Sequence, residues 1–253
     1  MASAPEVRIL ALGRLPDVRP GMDLASLTLA AAAEVDLVFA PGDILIVTQK
    51  IVSKAEGALI DLRTVTPSDL ATRWAAAWGK DPRQIEVVLQ ESKRIVRMAN
   101  GVLISETHQG FVCANAAVDA SNVAGADFVT VLPRDPDASA ARLRAGLAAT
   151  LGFDLPVIIS DSFGRPWRFG IVNVAVGVAG LAPAVDYRGQ HDEHGYLLNA
   201  TVLAVADELA SAAELVMGKL DGRPLAVVRG YAYAPAEGRA RDLILDPARD
   251  LFR

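Results

Sequence analysis

The sequence predicts an α+β or irregular α/β fold, with mixed sheets and flanking helices. Three observations carry this. Apolar runs of strand length alternate with Ala- and Leu-rich helical stretches, but without the regular βαβ beat of a doubly wound sheet. No Gly-x-Gly-x-x-Gly leads from a strand into a helix, so the Rossmann signature is missing. No Gly-x-x-x-x-Gly-Lys-Ser/Thr occurs, so the P-loop is missing too.

The elements follow in order. Residues 7–12 and 43–48 read as strands, with a helix over 24–33 between them. Gln49, Lys50, Ser53, Lys54 and Glu56 then make a polar segment that reads either as a solvated strand end or as a lysine offered to a phosphate. Thr66-Pro67-Ser68-Asp69 predicts a helix start: a capping Thr, Pro at the first helical position and an acid in the first turn. Gly79 closes that helix. Asp81-Pro82 repeats the device, opening a helix whose Ile85, Val88, Leu89, Ile95 and Val96 share one face. Strands follow over 102–105, 111–114 and 128–132, then a helix over 138–150 ending at Gly152. Residues 156–160 read as a short buried strand that ends at Asp161, and 172–178 as another strand. A long helix over 202–217 ends at Gly218, and 225–229 is the last strand. Repeats and linkers are absent, so a single domain over 1–253 is expected, built as one unit or as two intimately packed subdomains with their weakest join near Pro133-Arg134-Asp135-Pro136.

Bulk properties narrow the function. The chain has 253 residues, 52% hydrophobic and 22% charged, as a folded protein does. A net charge of −5 argues against broad nucleic-acid binding, which needs Lys and Arg to neutralise phosphates. Cys113 is the single cysteine; it reads as a small buried hydrophobe, and the three histidines are too scattered for a zinc pattern. Mean hydropathy is +0.29. Even so, the most apolar stretch, 24–52, is broken by Glu34, Asp36, Pro41, Gly42 and Asp43. With no secretory signal at the N-terminus, a cytoplasmic protein without a membrane partner is expected.

Two polar islands stand out, Asn115 to Asn122 and Asp161-Ser162-Phe163-Gly164-Arg165-Pro166-Trp167-Arg168. An acid after a buried strand, followed by a hydroxyl and two arginines, suits a hard divalent cation held against phosphates. Asp, Ser and Gly are also turn formers, so an ordinary turn stays open. The loop Met217 to Pro224, with two glycines, either offers backbone N–H groups to phosphates or simply ends a helix.

Taken in order, the segments Val47-Thr-Gln-Lys-Ile-Val-Ser-Lys-Ala-Glu-Gly57, Gly110 to Asn122, Ile158 to Arg168, Val205 to Ala210 and Glu214 to Lys219 resemble the coenzyme F420-0:gamma-glutamyl ligase family (CofE, and the amino-terminal half of FbiB proteins). The resemblance runs from Leu15-Pro16 to Val227-Val-Arg-Gly230, and no fused nitroreductase half is expected. It implies a mixed fold distinct from P-loop and ATP-grasp enzymes, assembled as an intertwined homodimer. It implies joining of L-glutamate to the lactyl carboxylate of coenzyme F420-0, with GTP cleaved to GDP through an acyl phosphate and a second glutamate added in gamma linkage. Mg²⁺ or Mn²⁺, with K⁺ as a further ion, would serve as cofactors.

By the same resemblance, Asp119, Asp161 and Lys54 are the catalytic residues, and Asp119, Asp161 and Ser162 the metal ligands. The GTP contacts are Leu15, Pro16, Asp17, Val18, Gln49, Lys54, Asn122, Met217, Gly218, Lys219, Leu220, Asp221, Gly222 and Arg223. Arg165 and Arg168 would meet the acceptor. Two departures stand in the pattern: Lys219 replaces an acidic residue found near a second metal in some archaeal members, and Arg168-Phe-Gly-Ile-Val-Asn173 replaces a more polar bacterial version. A same-chemistry ligase on another carboxylic acid, and a guanine-nucleotide-binding protein without ligase activity, are the alternatives.

Overall fold

A computed structural model of the protein describes residues 4–121 and 127–250. Strand β1 (Arg8–Ala11) is followed by helix α1 (Leu24–Glu34), whose N-cap Asp23 accepts from the N–H groups of Ala25 and Ser26. Strand β2 (Ile44–Thr48) passes directly into helix α2 (Gln49–Ala55), where a strand end was the alternative. Ile51 and Val52 hold α2 to the core, and that leaves Lys50 and Lys54 one turn apart.

After β3 (Leu59–Asp61) comes α3 (Asp69–Trp78), which starts later than its Thr66-Pro67 signal because Ser68, not Thr66, is the cap: its Oγ accepts from Ala71 N. Helix α4 (Pro82–Gln90) is capped by Asp81 as expected, but stops before Ile95 and Val96. Those β-branched residues lie on strand β4 (Ser92–Ala99) instead. Ile95 still packs into the same apolar cluster as Ile85 and Val88, so its burial was read correctly and its helix wrongly. Asn100 and Gly101, at φ 51° and 73°, turn β4 into β5 (Val102–Thr107) as a tight hairpin, and β6 (Val112–Ala114) completes this small sheet.

Strand β7 (Phe128–Thr130) pairs with β3, and α5 (Pro136–Leu151) runs to Gly152. Strands β8 (Val157–Arg165) and β9 (Arg168–Ala179) form a long hairpin. Short strands β10 (Val185–Asp186) and β11 (Val202–Leu203) pair with each other, so helix α6 (Val205–Met217) begins three residues after the sequence placed it. Strand β12 (Leu225–Arg229) closes the set.

The main sheet has the order β1-β12-β2-β8-β9, and only β2 and β8 run parallel. Leu45, Val47, Val157, Ile159, Leu225 and Val227 face one layer, formed by α1, α2 and α5. Ile44, Ile46, Ile158, Ala226 and Val228 face α6 on the other side. Covering both faces is why these strands read as unbroken apolar runs rather than alternating ones. No helix among the described residues is long and apolar enough to cross a membrane.

The parallel pair sets the site. Its ladder ends at Thr48 opposite Ser160. There β2 becomes α2, while β8 continues through Asp161 and Ser162 with β9 as its partner. Asp161 therefore lies within a strand, not in a turn; the turn comes later, around Trp167 at φ 58°.

Candidate functional site

Where β2 and β8 end their ladder, a cleft of about 270 Å³ opens. Its wall gathers segments far apart in sequence: Leu15 to Val18, Gln49, Lys50, Lys54, Asp119, Asp161, Ser162, Gly218, Lys219, Gly222 and Arg223. Thus thirteen expected site residues lie on one cavity, and Lys50 joins them. Met217 is instead buried under the loop, Leu220 is exposed, and Asp221 is outside the lining. Arg165 and Arg168 sit at the tip of the β8–β9 hairpin, also outside it. Asn122 lies outside the described residues.

Asp119 is fixed by its backbone. Its N–H and C=O exchange hydrogen bonds with Thr130 at 3.0 and 2.9 Å. Just before it, Asn115, Ala116 and Ala117 all have positive φ, a costly run for residues with a Cβ. The Asp119 side chain accepts from Lys50 Nζ at 2.6 Å, Ser121 N at 2.6 Å and Ser121 Oγ at 3.0 Å. Burial pushes its carboxyl up, but Lys50 and Ser121 outweigh that and hold it below the usual range.

Asp161 is the opposite case. Burial pushes it up to about 6, the N–H of Ser162 draws it down, and the charge of Asp119 raises it further against Lys50 and Lys219. Cys113 is held near 12 by burial and by the charge of Asp161, so it is no nucleophile.

The lysines of α2 divide the work. Lys50 bridges Asp119 and Ser121, whereas Lys54 donates to Asp17 at 2.9 Å and so ties the helix to the 15–18 strip. Gln49 is buried; its amide donates to Ser53 Oγ and to Val131 O at 3.1 Å, so its main task is to hold α2. Behind the cleft, Ser162 Oγ donates to Asn173 Oδ1 at 2.7 Å, and Asn173 Nδ2 donates to Glu214 at 2.9 Å. Lys219 Nζ donates to Ser162 Oγ at 3.3 Å. Gly218 takes φ 62° and ψ 167°, and a Cβ there would run into the Asp221 carboxylate.

Asp119 and Asp161 fit one hard divalent cation. They are oxygen donors on one cavity, the charge of Asp119 is felt at Asp161, and Asp119 already attracts an ammonium. Among the described residues no group of three or more His, Cys, Asp or Glu is set for a metal, so phosphate and water oxygens would complete the shell.

A family model described as F420-0:Gamma-glutamyl ligase matches residues 13–230. The chain belongs to that family. Among its relatives, a coenzyme F420:L-glutamate ligase of Methanopyrus kandleri is 46% identical over 258 residues, covering all of both chains. One of the same name from Methanothermobacter thermautotrophicus is 44% identical over 98% of this chain and 99% of its own. A third, from Methanocaldococcus jannaschii, is 42% identical over 84% and 85%. Membership in the F420-0:gamma-glutamyl ligase family agrees with the cleft, since the match spans every segment that lines it.

Lys50, Asn173 and Glu214 are polar cleft residues that were not among the expected site residues. For Lys50 the signal was present: lysines spaced i, i+4 share a helix face, but only once α2 is read as a helix. Asn173 and Glu214 fall within segments the sequence singled out, but their place beside Ser162 has no sequence signal, because only the β8–β9 register and the packing of α6 bring them there.

Proposed function

We propose that the protein is a GTP- and divalent-metal-dependent ligase that adds L-glutamate to the lactyl carboxylate of coenzyme F420-0, releasing GDP. The observation that carries this is one cavity lined by the 15–18 strip, the α2 lysines, Asp119, Asp161 and the glycine loop after α6, in a member of this family.

The residues divide the chemistry. A carboxylate does not react with an amine unaided, and transfer of the terminal phosphoryl group of GTP to it makes an acyl phosphate. Asp119 and Asp161 would hold Mg²⁺ or Mn²⁺, which when bound offsets phosphate charge. Lys50 and Lys54, now on Asp119 and Asp17, exchange those carboxylates for phosphate oxygens as the nucleotide enters. Gly218 and Gly222 let the loop backbone approach the nucleotide. The glutamate amine then attacks the acyl carbon, phosphate leaves, and the attacking nitrogen loses a proton. The cleft aligns the reactants and keeps water away. A second, gamma-linked glutamate repeats the cycle.

The same reading makes the enzyme a cytoplasmic homodimer, with K⁺ as an additional ion and the exposed Tyr196, Val202 and Leu203 of the β10–β11 arm as contact surface. The test supplies purified protein with F420-0, L-glutamate, GTP and Mn²⁺. One glutamyl unit of mass gained with GDP release supports the reading. Acceptor-dependent GDP release only with another carboxylic acid moves the protein to the same chemistry on a different acceptor.

A further inference from the structure

The positive charges in this cleft are unequally placed. Lys50 sits on a carboxylate, Asp119, and Lys54 on another, Asp17. Lys219 is hydrogen-bonded instead to a neutral oxygen, Ser162 Oγ at 3.3 Å, on the strand that carries Asp161. That hydroxyl gives its proton to Asn173 Oδ1 at 2.7 Å, and the Asn173 amide is oriented by Glu214 at 2.9 Å. A lone pair of Ser162 therefore points to an ammonium. A divalent ion at ordinary ligand distance from that oxygen would stand within a few ångströms of the ammonium, and the two like charges would repel.

Asn173 adds to the argument, because it is a neutral side chain directly across the ladder from Ser162. Nothing anionic faces Ser162 from β9; the nearest acid in this chain, Glu214, is set behind Asn173, whose amide donates to it.

We propose that this cleft holds one divalent cation with its nucleotide, at Asp119 and Asp161, and that Lys219 takes the place of a second ion by setting its ammonium on the nucleotide phosphates. The proposal rests on the nucleotide reading above and deepens it by fixing the metal stoichiometry. On this proposal the Ser162 hydroxyl, expected as a metal ligand, serves to position Lys219.

The test counts Mn²⁺ by electron paramagnetic resonance on the full chain with a non-hydrolysable GTP analogue, so no turnover is needed. Wild type should saturate at one Mn²⁺ per chain. Lys219→Asp should bind a second, weaker Mn²⁺, as an acid beside Ser162 restores an oxygen pair for a cation. Lys219→Met should stay at one ion and lose about tenfold or more in analogue affinity, the usual effect of removing a charge-assisted contact. Two Mn²⁺ bound to wild type would overturn the proposal while leaving the ligase reading intact. Unchanged analogue affinity in Lys219→Met would overturn the phosphate role of Lys219. Absence of both Mn²⁺ and analogue binding would overturn the proposal together with the nucleotide reading on which it rests.

Discussion

Lys50 donates to the Asp119 carboxylate at 2.6 Å although 69 residues separate them. That contact joins the helix emerging from β2 to the strained segment before β7, and it sets an ammonium where a metal–phosphate cluster would need positive charge. Lys50→Met should therefore weaken GTP binding roughly tenfold to a hundredfold, for a contact on the order of 1.5–3 kcal/mol. Calorimetry with GTP and Mg²⁺ checks this; unchanged affinity would reduce Lys50 to a helix tie.

The raised carboxyl of Asp161 has a definite sign. Its folded value of about 6 exceeds the ordinary 3.8, so the folded state holds the proton more tightly than the unfolded chain. Without metal, this group costs stability progressively as pH rises from about 4 to 6. Asp161→Asn removes that cost, so its stability relative to wild type should improve across this window and level off above it. Urea titrations at several pH values test the slope; a parallel pH dependence in both proteins would remove the burial argument.

Metal binding runs the other way. A cation needs the ionised carboxylate, so Mn²⁺ affinity should rise about tenfold per pH unit below 6 and flatten above. Asp161→Asn should show neither the rise nor turnover, while keeping its far-ultraviolet circular dichroism. Wild-type turnover by that variant would exclude Asp161 from the chemistry.

The sequence revealed the secondary elements better than their boundaries. Asp81-Pro82, Gly79 and Gly152 mark helix ends through local backbone chemistry that tertiary packing does not override. Ile95 was misread because burial beside α4 looks the same from a helix or a strand when both reach one apolar cluster. Asp161 was expected to leave a strand, but β9 pairs with β8 well beyond that residue, and nothing local signals so long a hairpin. The cleft was legible through family-like motifs; the Ser162–Asn173–Glu214 chain depends on register and helix placement alone.

A further prediction concerns the glycine loop. Gly218→Ala places a Cβ at φ 62° and ψ 167°, against the Asp221 carboxylate. The variant should lose about 1–3 kcal/mol of stability, or bind GTP more weakly as the loop shifts to relieve the strain. Denaturation midpoints and nucleotide titration together check it; neither changing would show the conformation is not required.

Away from the cleft, Asp43 is buried and held by Arg229 Nε and Nη2, at 2.7 and 2.8 Å, and by Ala40 N at 2.9 Å. This pair locks β12 to the turn that leads into β2. Arg229→Leu leaves a buried carboxylate with one remaining N–H, and should cost about 3 kcal/mol at neutral pH. Melting curves of both proteins at neutral pH check this, and unchanged midpoints would show that the pair is not needed.

The central claim is most directly tested by mass spectrometry of F420-0 incubated with the protein, GTP, Mn²⁺ and L-glutamate. The account predicts a product heavier by one glutamyl unit, or two after longer incubation, with one GDP formed per unit added. No mass gain, together with no acceptor-dependent GDP release from any carboxylic acid offered, would contradict it and leave only a guanine-nucleotide-binding role.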